Sequence, residues 1–119
     1  MRFNVAADAG EDVVLNNILF TMSSSDIAAS NWNQCGTTVA GDFDLYNLDK
    51  DGTTTALAAT KTMLASTGAT CSGADVAYVK YAFTTAEVIP AGSTYRYALY
   101  FDSTGASASN DDSVQFGVA

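Results

Sequence analysis

The chain has 119 residues, enough for one domain and too few for two, with five Lys and Arg against thirteen Asp and Glu and a formal net charge of −8. Five scattered cations cannot build the basic face that nucleic acid or an anionic membrane requires, so neither is expected as a partner. The absence of His removes the Ser-His and Cys-His nucleophile pairs and the imidazole metal sites together, which points away from an enzyme.

In chain order, Phe3 and Val5 alternate with Asn4 and Ala6 and run into a turn-like Asp8-Ala9-Gly10, predicting a first strand. Val13 to Met22 predicts a second strand, and its Asn16-Asn17 pair reads as a bulge or bend that swaps which face is buried. Ser23 to Asn33 reads as a polar loop, with Trp32 anchoring it on the core edge. Phe43 and Leu45 alternate with Asp42 and Asp44, placing both carboxylates on the solvent side of a strand. Asp49-Lys50-Asp51-Gly52 is the strongest turn signal, and a tight hairpin with Thr53 to Leu57 as return strand is the expectation. Residues 56–66 are read as strand or irregular chain in preference to helix, because the repeated Thr lowers helix propensity.

Ala74 to Thr85 predicts the clearest strand, with Ala77, Val79, Tyr81 and Phe83 on one face. Val88 to Gly92 reads as a break bounded by Pro and Gly. Tyr95, Tyr97, Leu99 and Phe101 alternate along the next strand, Ser103 to Asp112 reads as a loop, and Val114, Phe116 and Val118 mark the last strand. Seven short strands in one domain over residues 1–119 predict an all-β, antiparallel two-sheet β-sandwich, with a β-barrel as the alternative. The buried set is expected to include Val79, Phe83, Leu99 and Phe116.

Cys35 and Cys71 stand in Gly, Ser and Thr-rich connections and not in apolar strand centres. A disulfide between them would close a loop of about 37 residues and contribute roughly 4 kcal/mol in the chain-entropy model. Such a bond marks an oxidising compartment. Charged residues at 15% are scarce against the usual ~25%, and Ser, Thr, Asn and Gly replace them, a surface style suited to an extracellular protein. The N-terminus lacks a signal-peptide core and no run reaches the ~18 apolar residues of a spanning helix. Either the protein is cytoplasmic or this is a mature segment cut from a longer precursor, with Met1 as an added start; the second is the favoured reading.

Val14 to Met22, Phe43 to Asn47, Ile89 to Leu99 with its Pro-Ala-Gly-Ser lead-in, and Asp112 to Phe116 together resemble immunoglobulin-like sandwich modules of prokaryotic cell-surface proteins. The resemblance implies secretion and a structural, adhesive or filament role at the cell surface, with neighbouring domains or subunits of the same protein as partners. It carries no catalytic residues. Residues 2 to 7 and 113 to 119 are the candidates for strand addition between subunits.

Three further groups of side chains carry chemistry. Asn47, Asp49 and Asp51 fall at positions one, three and five of a calcium-loop pattern with Gly52 at six, but Ala58 stands where the twelfth-position Glu belongs. That leaves at most a looser calcium site, with an ordinary acidic turn as the competing reading; calcium is the one cofactor considered. Asp111 and Asp112, beside Asn110, form a second acidic cluster, read as a solvated loop tip or a calcium bridge. Trp32, Tyr78 and Tyr100 are candidate stacking surfaces for sugar rings, which makes a carbohydrate-binding module of an extracellular enzyme the alternative function.

Overall fold

A computed structural model describes residues 1–25, 43–65, 78–101 and 113–119. The described residues form seven strands and no helix: β1 (Arg2–Ala6), β2 (Val13–Ser25), β3 (Phe43–Asn47), β4 (Ala59–Leu64), β5 (Tyr78–Ile89), β6 (Thr94–Phe101) and β7 (Ser113–Val118). They make two antiparallel sheets, β1-β6-β3 and β4-β5-β2-β7. The sheets do not close on one another, so the sandwich expectation holds and the barrel alternative is set aside. No helix among the described residues is long and apolar enough to cross a membrane.

The inner faces follow the period-two pattern. Phe43 and Leu45 of β3 and Tyr97 and Leu99 of β6 face Ile18, Phe20 and Met22 of β2 and Val79 and Tyr81 of β5, all buried. Phe83 and Phe116 join as partly buried members. Rings interlock across the sheets: Phe3 meets Phe20 edge-on at 5.7 Å, and Phe116 meets Phe43 edge-on at 6.1 Å. The inward positions of β2 are odd up to Leu15 and even from Ile18, so the Asn16-Asn17 pair does swap the buried face. The extra length lies on the partner strand. Leu15 pairs with Glu87 and Asn17 with Ala82, leaving residues 83–86 of β5 opposite Asn16.

Three boundaries differ from the sequence reading. First, β2 continues through Ser23 to Ser25, because β7 supplies a ladder partner for each of these residues. Backbone pairing there outweighs the poor strand preference of serine. Second, Asp49 to Gly52 is a turn, with Gly52 at φ +60°, but the chain does not return beside β3. Thr53 to Leu57 is not a strand. Leu57 makes one backbone bond back to Leu45, and the chain then crosses to the other sheet, where β4 begins at Ala59. Third, β5 runs through Val88 and Ile89, since Glu87 and Ile89 keep the inward parity of Val79 and Tyr81, and it stops at Pro90. Pro90-Ala91-Gly92-Ser93 then turns the chain into β6, Ser93 N–H bonding Pro90 C=O at 2.9 Å with Gly92 at φ +72°.

Candidate functional site

The acidic turn after β3 is organised around Asn47, whose side chain is 1% exposed. Its Oδ1 accepts the backbone N–H groups of Asp49 (3.1 Å) and Lys50 (3.2 Å), an Asx-type lock on the turn. Its Nδ2 donates to Oε2 of Glu87 on β5 at 2.9 Å. Glu87 is itself buried and also receives Lys50 Nζ at 3.3 Å and the Tyr97 hydroxyl at 3.3 Å. Burial, and then the Glu87 charge, push the Tyr97 hydroxyl well above the ordinary tyrosine range. Asp49 is held from the other side: Arg96 donates to it from its backbone N–H (2.6 Å), Nε and Nη2 (2.6 Å). These bonds hold the Asp49 carboxyl below its usual value.

Two of the three proposed calcium oxygens in this turn are therefore engaged by the protein itself: Asn47 by backbone amides and Asp49 by Arg96. Asp51 is exposed beside them. Among the described residues no three His, Cys, Asp or Glu side chains gather as a metal-binding group. Asp111 and Asp112, and the Cys35–Cys71 pair, lie outside the described residues, as do Trp32 and Asp42. Of the proposed stacking rings, Tyr100 stands 47% exposed on the outer face of the three-stranded sheet, edge-on to Tyr46 at 5.4 Å. Tyr78 lies on β5, in the opposite sheet, so the structure does not bring the two together.

The residues that the sequence reading passed over are Glu87, Lys61 and Arg96. Glu87 was detectable only as an acid two positions before Ile89 on the inward parity of β5. Lys61 lies on the inward parity of β4, its Nζ 5.8 Å from the centre of the Tyr81 ring. From there it donates to the backbone carbonyl of Phe43 and pairs with Asp44 at 3.1 Å.

That contact belongs to a wider difference between the sandwich edges. β3 ends one sheet, and Leu48 N–H bonds Arg96 C=O, so its even positions face β6 and its odd ones face outward. All three outward carbonyls of β3 find donors: Phe43 from Lys61 Nζ, Leu45 from Leu57 N–H, and Asn47 from Asp51 N–H. The neighbouring edge strand, β4, carries the inward-pointing Lys61, a known device against stray strand pairing.

On the opposite side no described residue supplies such cover. At the β1 edge, Met1 and Leu99 exchange both backbone bonds and Ala7 N–H bonds Ser93 C=O. The alternation then leaves the N–H and C=O groups of Arg2, Asn4 and Ala6 pointing away from the sheet. By the same logic Ala119 bonds Leu19, so Val114, Phe116 and Val118 of β7 turn their backbone groups outward. No described residue pairs with either edge. Between them opens a mainly apolar groove of about 390 Å³, in which Phe3, Val5, Leu15, Ile18, Leu19 and Val118 stand beside the polar Asn4 and Asn17. None of the thirteen acidic residues falls within residues 1–7 or 113–119, and Arg2 is the one charged side chain there.

No protein-family model matches the chain, and no curated protein and no solved structure matches it significantly.

Proposed function

We propose that this chain is a non-enzymatic structural or adhesive module of an extracellular or surface-anchored protein, joined to neighbouring copies or domains through an exposed sheet edge. The observation that carries the reading is the inequality of the two sides. Strand edges normally carry a blocking device, and here one side has several while the β1/β7 side has none among its described residues. An unblocked edge beside an apolar groove suits strand addition, in which backbone bonds supply affinity and alternate side chains supply register. The immunoglobulin-like resemblance, the scarcity of charge and the Cys35–Cys71 pair support a place outside the cell.

Sedimentation velocity over a concentration series up to millimolar protein tests this reading. Assembly that grows with concentration supports it. A strict monomer throughout, with no binding to the rest of the parent surface structure, removes it. A glycan array provides the counter-test: a specific signal lost in Tyr100→Ala would put the carbohydrate-binding alternative in its place.

A further inference from the structure

Resting on that reading, we propose that β1 is the assembly strand and that its occupant is β1 of a second copy, paired antiparallel about a two-fold axis at Asn4.

The edge itself sets the register. Only Arg2, Asn4 and Ala6 offer outward backbone groups, so a second strand must bond to these three. With Asn4 facing its own copy, Arg2 falls opposite Ala6 and Ala6 opposite Arg2, which closes three pairs and up to about six backbone hydrogen bonds. A shift by one residue in the pairing would oppose inward-facing backbone groups already bonded to β6.

Charge favours the same register. The exposed Arg2 side chains of the two copies are kept apart by the antiparallel arrangement. Each instead lies diagonal to Asp8 of the other chain, on the same face of the sheet and just past Ala6, within reach of a long cation. Asp8 is exposed, and among the described residues its Oδ1 accepts a hydrogen bond from the nearby Gly10 N–H at 3.2 Å. The pairing is thus complementary although each chain carries −8. The two acid-free termini are what allow such copies to approach.

Packing supplies the remaining attraction. Phe3 and Val5 lie on the inner face of β1 and border the groove. In the paired arrangement Phe3 of one copy sits across from Val5 of the other, and these side chains cover the groove that each monomer leaves open. The two three-stranded sheets become one continuous six-stranded sheet across the axis. A single strand pair lies below the ~1,200 Å² of a stable standard interface, so the dimer is weak and forms at high protein concentration.

The test uses residue 4, whose side chain is exposed and whose N–H bonds no described residue. Asn4→Pro deletes the outward donor and should weaken dimerisation at least about tenfold while leaving the melting temperature nearly unchanged. Val114→Pro deletes an outward donor of β7 away from the groove and should leave the dimer intact. A self-facing residue also has a charge signature. Asn4→Asp and Asn4→Lys should each dimerise poorly alone, and an equimolar mixture should recover association at low salt. Dimers that survive Asn4→Pro but dissolve with Val114→Pro overturn the β1 assignment and leave edge-strand assembly standing. Failure of the Asp and Lys variants to complement each other overturns the two-fold at Asn4. A wild-type chain that stays monomeric at millimolar concentration overturns this inference, and the reading beneath it falls with it only if the chain also fails to bind the rest of the parent structure.

Discussion

Along the β3/β4 side, every outward carbonyl of β3 meets a donor from residues 51–61, and the adjacent β4 turns a lysine inward. Along the β1/β7 side, two edges of similar length present three residues each with nothing described against them, and an apolar groove lies between. The two sides are built from the same alternating strands, so strand propensity does not separate them. What differs among the described residues is what lies against each edge. After β3 the polypeptide folds back over its own edge before crossing to the other sheet, whereas no described residue pairs with the outer edge of β1 or β7. Edge protection in this sandwich is thus a property of connections and of a few charged side chains.

The largest effect is expected at the buried anchor of the closed side. Asn47→Ala strips the acceptor from the amides of Asp49 and Lys50 and removes the amide donor to Glu87, which remains buried. The expected loss is about 3 kcal/mol in chemical denaturation, with self-association unaltered. A loss below about 1 kcal/mol would show that the turn closes the β3 edge without this lock. Asn47→Asp sharpens the point. It keeps an oxygen for the two amides but sets a second carboxylate against Glu87, so a loss there of at least the same size would place the effect on the Glu87 side of Asn47 and not on the turn amides.

Lys61→Met tests whether the closed side is closed by charge. Methionine retains the stem that packs by Tyr81 but abandons the Phe43 carbonyl and Asp44. The expected cost is about 1–2 kcal/mol, accompanied by a new, Asn4-independent association through β4. If the variant remains as monodisperse as wild type, the inward lysine is not what keeps that edge from pairing.

How far such features were legible in advance follows the range over which they are encoded. β1, β6 and β7 announce themselves because period-two alternation is local, and so does the inversion at Asn16-Asn17, where the inward set jumps from Leu15 to Ile18. The Asp49–Gly52 turn was equally readable as a turn. Its consequence was not, because Asp-Gly fixes φ at one residue and says nothing about which sheet the next strand joins. Glu87 could not be recognised as a buried anchor, since its burial is made tolerable by Asn47, Lys50 and Tyr97, none of them on β5. Lys61 is the same case: a lysine on an inward parity looks like an error until the β3 carbonyl it serves is in place.

On the open side, β7 is fixed to β2 through a contact with little tolerance. A Cβ at Gly117 would come within 2.8 Å of Thr21 Oγ1, which itself donates to Gly117 C=O at 3.2 Å. Gly117→Ala should therefore cost about 1–2 kcal/mol through displacement of Thr21, and Thr21→Ala should return most of it by removing the obstructing oxygen. Non-additivity of this kind, read from melting curves of the two single variants and the double, would place the strain at this pair and not in the edge itself. Additive losses would mean that β7 yields as a whole, making it a looser border of the groove than β1.

The smallest expected effect returns to the closed side and has the opposite sign. Tyr81 is fully buried, and its hydroxyl finds no hydrogen-bond partner among the described residues. Burial, reinforced by the Asp44 charge, raises its pKa well above the ordinary value of 10.0. Tyr81→Phe should stabilise the fold by up to about 1 kcal/mol at neutral pH, because an uncompensated polar atom leaves the core. The pH dependence supplies an independent check. Tyr81 and Tyr97 both keep their protons in the folded state at a pH where the unfolded chain has lost them. Stability should therefore hold below about pH 10 and fall as the pH rises beyond it. Phenylalanine at position 81 removes one of the two titrations, so the alkaline decline should become shallower by about half. A decline of unchanged steepness would mean that Tyr81 ionises as readily in the fold as out of it, and that the Lys61 side of the sandwich is wetter than its geometry indicates.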